Sequence, residues 1–193
     1  MEFILNSQYL YAYDNKNTLA MKKTIHLIIL LFMIIISMPE SKAQYAMSID
    51  AGYIKNFHNN LNGVDLSSVL YFNKKWAMAF EINRFFAVEK NIDNEKGELS
   101  ALDFDLNLHR YFSISKKIQL YPIVGISHTS EKERNLFSKV THTDNFFSVN
   151  TGGGFVFKLS KRLHPAVEFT YAWGKFNQQF LLVNVAYEIK FKK

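Results

Sequence analysis

The sequence predicts an all-β chain folded as an eight-stranded antiparallel up-and-down transmembrane β-barrel. Three observations predict it. After residue 44, apolar and polar residues alternate with period two in one run after another. The connections between runs alternate between short basic turns and longer polar segments. An export signal stands ahead of the first run.

The export signal begins at Met21, with Lys22 and Lys23 ahead of an apolar run from Ile25 to Ile36 that only His26 interrupts. Pro39 ends the run, and Ser41-Lys42-Ala43 places small residues where a signal peptidase reads them. The run is shorter than the roughly 20 residues of a membrane-spanning helix. Residues 1–20 carry no signal and are expected to be an upstream extension ahead of a start at Met21. Residues 21–43 are then the signal peptide, and 44–193 the barrel domain.

That domain has no cysteine, which excludes disulfides and thiolate metal sites. Of 23 Lys and Arg and 17 Asp and Glu, four and three fall in residues 1–43, so 19 and 14 remain and the mature charge is +5. The basic residues sit in small clusters at turns, which do not form a nucleic-acid groove.

The first strand is Tyr45–Phe57, with Met47, Ile49, Ala51 and Tyr53 on one face and Ser48, Asp50 and Gly52 on the other. The second, Asn62–Phe72, sets Val64, Leu66 and Leu70 against Asp65, Ser67 and Tyr71. The third, Trp76–Val88, sets Trp76, Met78, Phe80 and Ile82 against Ala77, Ala79, Glu81 and Asn83. In the fourth, Leu102, Phe104, Leu106 and Leu108 alternate with Asp103, Asp105, Asn107 and His109. A helix would scatter these residues; a strand puts both aspartates on one side. The fifth, Ile118–Ser130, alternates despite Pro122, which cannot donate to a ladder. The sixth, Asn145–Leu159, sets Phe147, Val149 and Phe155 against Ser148, Asn150 and two glycines of Gly152–Gly154. The seventh, Leu163–Trp173, contains Pro165 and sets Val167, Phe169 and Tyr171 against Ala166, Glu168 and Thr170. The eighth, Gln179–Phe191, sets Val183, Val185, Tyr187, Ile189 and Phe191 against Asn184, Ala186, Glu188 and Lys190.

A phrase recurs in the connections. Asn73-Lys74-Lys75-Trp76, Ser115-Lys116-Lys117-Ile118 and Ser160-Lys161-Arg162-Leu163 each restart a strand, and the chain ends Lys192-Lys193. Opposite these turns the expected loops are longer, notably Glu89–Glu98 and Glu131–Asp144.

The interior of an eight-stranded barrel is just wide enough to be filled by side chains. Small and polar residues fit there; eight strands of Leu, Ile and Phe would overfill it. The apolar face is therefore expected to point outward into lipid, with aromatic residues at its borders. The inward face then gathers Asp50, Asp65, Glu81, Asp103, Asp105, His109, Lys158, Glu168, Glu188 and Lys190 as a polar network. A small pore and a soluble lipocalin-like lipid binder with an apolar lumen are the non-enzymatic alternatives.

The signal, the eight strands and the final Tyr187-Glu188-Ile189-Lys190-Phe191 resemble small bacterial outer-membrane β-barrels, of the kind common in Bacteroidota-type bacteria. The resemblance implies an outer-membrane location with both mature termini periplasmic. It implies as partners outer-membrane lipid and lipopolysaccharide, the barrel-insertion machinery and periplasmic chaperones. Tyr187, Ile189 and Phe191 would carry the insertion signal. It also implies a monomer without cofactor, acting in envelope structure or in surface contact through its outer loops.

His128-Thr129-Ser130 is the one enzyme-like spot. Outer-membrane lipid A deacylases, which resemble this chain in architecture, use a His-x-Ser pair in which histidine activates serine for ester attack. Glu131 or Glu133 would orient His128. No spacing of His, Asp or Glu supports a metal site.

Overall fold

Alternation becomes strand wherever the two faces of the chain meet different surroundings. In the computed structural model, which describes residues 46–92 and 95–191, eight such strands close on themselves. They are β1 (Ala46–Asn56), β2 (Leu61–Tyr71), β3 (Trp76–Ile92), β4 (Glu95–Arg110), β5 (Ile118–Asn135), β6 (Thr141–Phe157), β7 (Leu163–Gly174) and β8 (Gln178–Lys190). Each pairs antiparallel with the next, and β1 pairs with β8, for example Ile49 with Tyr187, to close the barrel. The expected extension and signal of residues 1–43, and Lys192 and Lys193, lie outside the described residues.

Proline shapes two of the ladders. The β4–β5 register is the same at His109↔Ile123 and at Phe112↔Leu120, where the short piece Phe112–Ser113 continues β4. The break between them faces Pro122, which has no N–H to offer β4. Pro165 lies one residue beyond the last β6–β7 pair, Val156↔Ala166. Both prolines thus sit where a ladder is interrupted or ends.

The apolar face is on the outside. Ile49, Phe80, Phe104 and Ile126 are exposed, while Asp65, Glu81, Asp103 and Glu168 are buried. A soluble barrel with an apolar lumen requires the reverse and is excluded. Polar residues do not fill the whole interior, however. It has three layers. Nearest the chain termini, Tyr111, Tyr121, Ile123, Val69 and Val156 form an apolar cluster, with Tyr71 packed against it. At the other end Phe85, Phe180, Leu61, Leu99, Ile54 and Leu182 form a second. The carboxylates lie between them. Gly154 makes room for the first cluster: a Cβ there would stand 2.5 Å from the Tyr121 ring. Gly154 is therefore a packing position inside the barrel.

Two expected loops are strands instead. β3 and β4 stay paired through Lys90↔Gly97, and β5 and β6 through Arg134↔Thr141, so Glu89–Glu98 and Glu131–Asp144 are mostly hairpin. A bulge in β3 between Phe85 and Val88 falls where β2–β3 pairing ends at Gly63↔Phe85. It marks the boundary between the barrel wall and the projecting hairpin, a common place for the extra residue of a bulge.

Candidate functional site

The middle layer is a network of amides and acids contributed by every wall. Ser127 Oγ donates to Asn150 Oδ1 (3.2 Å), Asn150 Nδ2 to Asn107 Oδ1 (3.2 Å), and Asn107 Nδ2 to Glu81 Oε1 (3.0 Å). That chain ties β5, β6, β4 and β3 together. Glu168 accepts from Tyr121 Oη (3.1 Å) and Thr170 Oγ1 (3.0 Å), and Asp105 accepts from Asn83 Nδ2 (2.9 Å). Asp65 accepts from Ser67 Oγ (3.2 Å). His109 Nε2 lies 3.9 Å from Glu81 Oε1, and its ring stacks on Tyr121 with centroids 5.0 Å apart. Asp50 and Asp103 are buried beside this network.

Two small spaces open between these groups, of about 20 and 10 Å³. Each has room for little more than a water molecule. With an apolar cluster above and below, the layer offers a substrate no entry. Among the described residues, no three His, Asp or Glu converge so that they could hold a metal ion.

Three residues expected in that network sit elsewhere. Lys158 follows the end of β6 and is exposed, and Lys190 is exposed at the end of β8. Glu188 is half-buried at the same rim, 2.9 Å from His164 Nε2 and 3.4 Å from Lys190 Nζ. Lys158 lies just past β6, and Glu188 and Lys190 stand in the last residues of β8, so all three reach the solvated rim of the mouth, which costs lysine far less than an apolar interior. Tyr187 and Ile189 share the outward phase of the last strand, Phe191 follows its end at the rim of the mouth, and Arg162 Nη1 donates to Tyr187 Oη at 2.9 Å.

His128 and Ser130 share the outward face of β5, opposite Phe104 and Leu102 of β4. The His128 ring packs on Phe147, with centroids 4.8 Å apart. Glu131 is on the other face. Its Oε1 accepts from Asn59 Nδ2 and Gln178 Nε2, both at 2.7 Å, and so joins the β1–β2 turn, β5 and β8 across the barrel mouth. It cannot also orient His128 from there. Period two puts Glu133 on the same face as Glu131. Alternation alone could have excluded both glutamates from a triad with His128. Asn59 and Gln178 gave no such signal, because they lie in or beside turns.

Beyond this mouth β3, β4, β5 and β6 continue as a four-stranded sheet. β5 runs four residues past Glu131, to Asn135, which is about 13 Å of strand. β3 beyond Phe85 has no β2 partner, and β6 before Ser148 has no β7 partner, so the sheet has two open edges. Its tip is rigidly built. Asn135 Oδ1 accepts from the backbone N–H of Phe137 (2.8 Å) and Ser138 (2.9 Å), and Asn135 N–H donates to Val140 O (2.9 Å). Leu136 N–H reaches across to Lys96 O at 3.0 Å. The result holds Phe137 88% and Val140 64% exposed, flanked by exposed Lys132, Arg134 and Lys139.

The model of a family described as outer membrane protein beta-barrel domain matches residues 28–188. Among solved structures, Ail, the attachment invasion locus protein of Yersinia pestis, has a TM-score of 0.56 at 15% identity, covering 76% of this chain and 99% of its own. The N-terminal β-barrel domain of Pseudomonas aeruginosa OprF has a TM-score of 0.58 at 14% identity, covering 76% and 98%. The outer membrane protein OprG of P. aeruginosa has a TM-score of 0.55 at 14% identity, covering 76% and 96%. At such identities the likeness is one of fold. No curated protein matches the chain in sequence.

Proposed function

This chain belongs to the family of outer membrane protein β-barrel domains, and we propose that it is a non-enzymatic member that makes surface contacts through its projecting four-stranded sheet. It resides in the outer membrane, its apolar outward band facing lipid. Residues 21–43 act as the signal peptide, the end with both termini faces the periplasm, and the sheet faces outward through the lipopolysaccharide. The barrel works as a monomer. Its last strand, with Tyr187, Ile189 and Phe191, carries the signal for insertion.

One observation supports the surface role above all. The sheet displays Phe137 and Val140 on a turn built to hold them out, and exposed apolar residues rimmed by polar ones mark interaction sites. The open sheet edges add backbone donors and acceptors that a partner strand can pair with. Ail is named for attachment and was also solved with the heparin analogue sucrose octasulfate. Lys132, Arg134 and Lys139 would give this chain its own basic face toward such a polyanionic glycan.

Replacing residues 132–143 by a two-residue turn tests this. The barrel should still show heat-modifiable migration on a denaturing gel, and cells bearing it should adhere less to host cells or sulfated glycan than cells with the intact chain. Equal adherence would remove the proposal. Neither a deacylase nor a pore gains support, because Glu131 faces away from His128 and the acidic layer is closed at both ends.

A further inference from the structure

We infer that the barrel mouth at the terminal end is a binding cup for a carboxylate-bearing saccharide. This site is separate from the outward sheet and does not depend on its role. The mouth encloses a cavity of about 370 Å³, within the range of small-ligand sites, roughly 300–1,000 Å³. It is blind, because Tyr71 and Tyr111, with ring centroids 5.7 Å apart, floor it above the apolar cluster.

Its charge is one-sided. Lys74 comes from the β2–β3 turn, Lys158 from the end of β6 and Lys190 from the end of β8, so three separate elements each contribute a lysine to the lining. Glu188 is the one carboxylate in the lining, and it is already engaged by His164 and Lys190. Among the described residues, Lys74 and Lys158 form no ion pair. The lining therefore has cationic capacity to spare, and an anion is the complement.

The remaining surfaces define the rest of the ligand. Half-buried Tyr71 on the floor offers an aromatic face of the kind on which a sugar ring stacks. Gln119 and Ser113, joined by a 3.3 Å hydrogen bond on one wall, offer an amide and a hydroxyl to hydroxyl or acetamido groups. A bare inorganic anion would use the lysines alone, whereas a sugar acid would use all three surfaces. Cell-wall glycopeptide and free sugar acids both have this chemistry.

The full chain in lipid nanodiscs, titrated by calorimetry with N-acetylmuramic acid, glucuronic acid, neutral N-acetylglucosamine and inorganic phosphate, tests the cup. Saturable binding of an acid sugar, with the neutral sugar and phosphate at least about tenfold weaker, is the expected result. The Lys74→Gln/Lys158→Gln variant should lose about tenfold or more, the size expected for lost charge-assisted hydrogen bonds. Lys116→Gln, at the same end but outside the lining, should change nothing. Preference for muramic acid would support the cell wall as the source, and preference for glucuronic acid a soluble source; either sustains the cup. Absence of binding, phosphate binding as tightly as the acid sugars, or an unaffected double-lysine variant in a heat-modifiable barrel would overturn it.

Discussion

Glu131 shows how one side chain at the rim holds parts distant in sequence. Its carboxylate accepts from Asn59 and Gln178, 72 and 47 residues away. Hydrogen bonds to a charged group are worth about 1.5–3 kcal/mol each, and here both close the mouth over the outer apolar cluster. Glu131→Ala removes them. Faster amide hydrogen exchange is expected in the turn 57–60 and at the start of β8, with the mid-barrel strands unchanged. Unaltered exchange in that turn would show that the clamp does not secure it. The same residue shows what was readable beforehand. Period two already put Glu131 on the face opposite His128, whereas its two partners come from turns, where no periodicity constrains direction.

At the scale of elements, the recurring basic phrase turns out to encode a turn as much as a charge. Asn73 Oδ1 accepts from Lys75 N–H (2.8 Å) and Trp76 N–H (3.0 Å). Ser115 Oγ does the same for Lys117 and Ile118 (3.2 and 3.1 Å), and Ser160 Oγ for Arg162 and Leu163 (3.2 and 2.7 Å). Each phrase is a side-chain-closed turn in which the residue before the basic pair organises the restart of the next strand. Asn73→Ala, Ser115→Ala and Ser160→Ala should each destabilise the barrel by about 0.5–1.5 kcal/mol. Changing Lys116 or Lys117 to Gln should stay within about 0.5 kcal/mol. Urea unfolding in vesicles would measure both, and equal costs for the two sets would show that the basic pair, not the cap, secures the turn. The projecting hairpins were missed for a related reason. Above the membrane both faces of β3 to β6 are wet, so Glu89–Glu98 and Glu131–Asp144 lack the contrast that produces alternation. Pairing with neighbours makes them strands all the same.

At the scale of the whole molecule, two apolar clusters enclose an acidic layer, and this arrangement sets what can pass. Purified barrel in a planar bilayer should conduct no ions. Removing one cluster, as in Phe85→Ala/Phe180→Ala, should leave it closed, and adding Tyr111→Ala/Tyr121→Ala should open measurable conductance. Conductance in the unmodified barrel would contradict the closed interior. By itself the sequence determined the strand number, the antiparallel order, the outward apolar face and the short basic turns. All of these follow from period two and turn chemistry, which are local. Only the tertiary structure decided the rest: the two apolar layers inside, the Glu131 clamp, the projecting sheet and the cationic mouth. Each depends on which strand ends lie beside one another once the barrel closes, and closure joins residues that no local pattern relates.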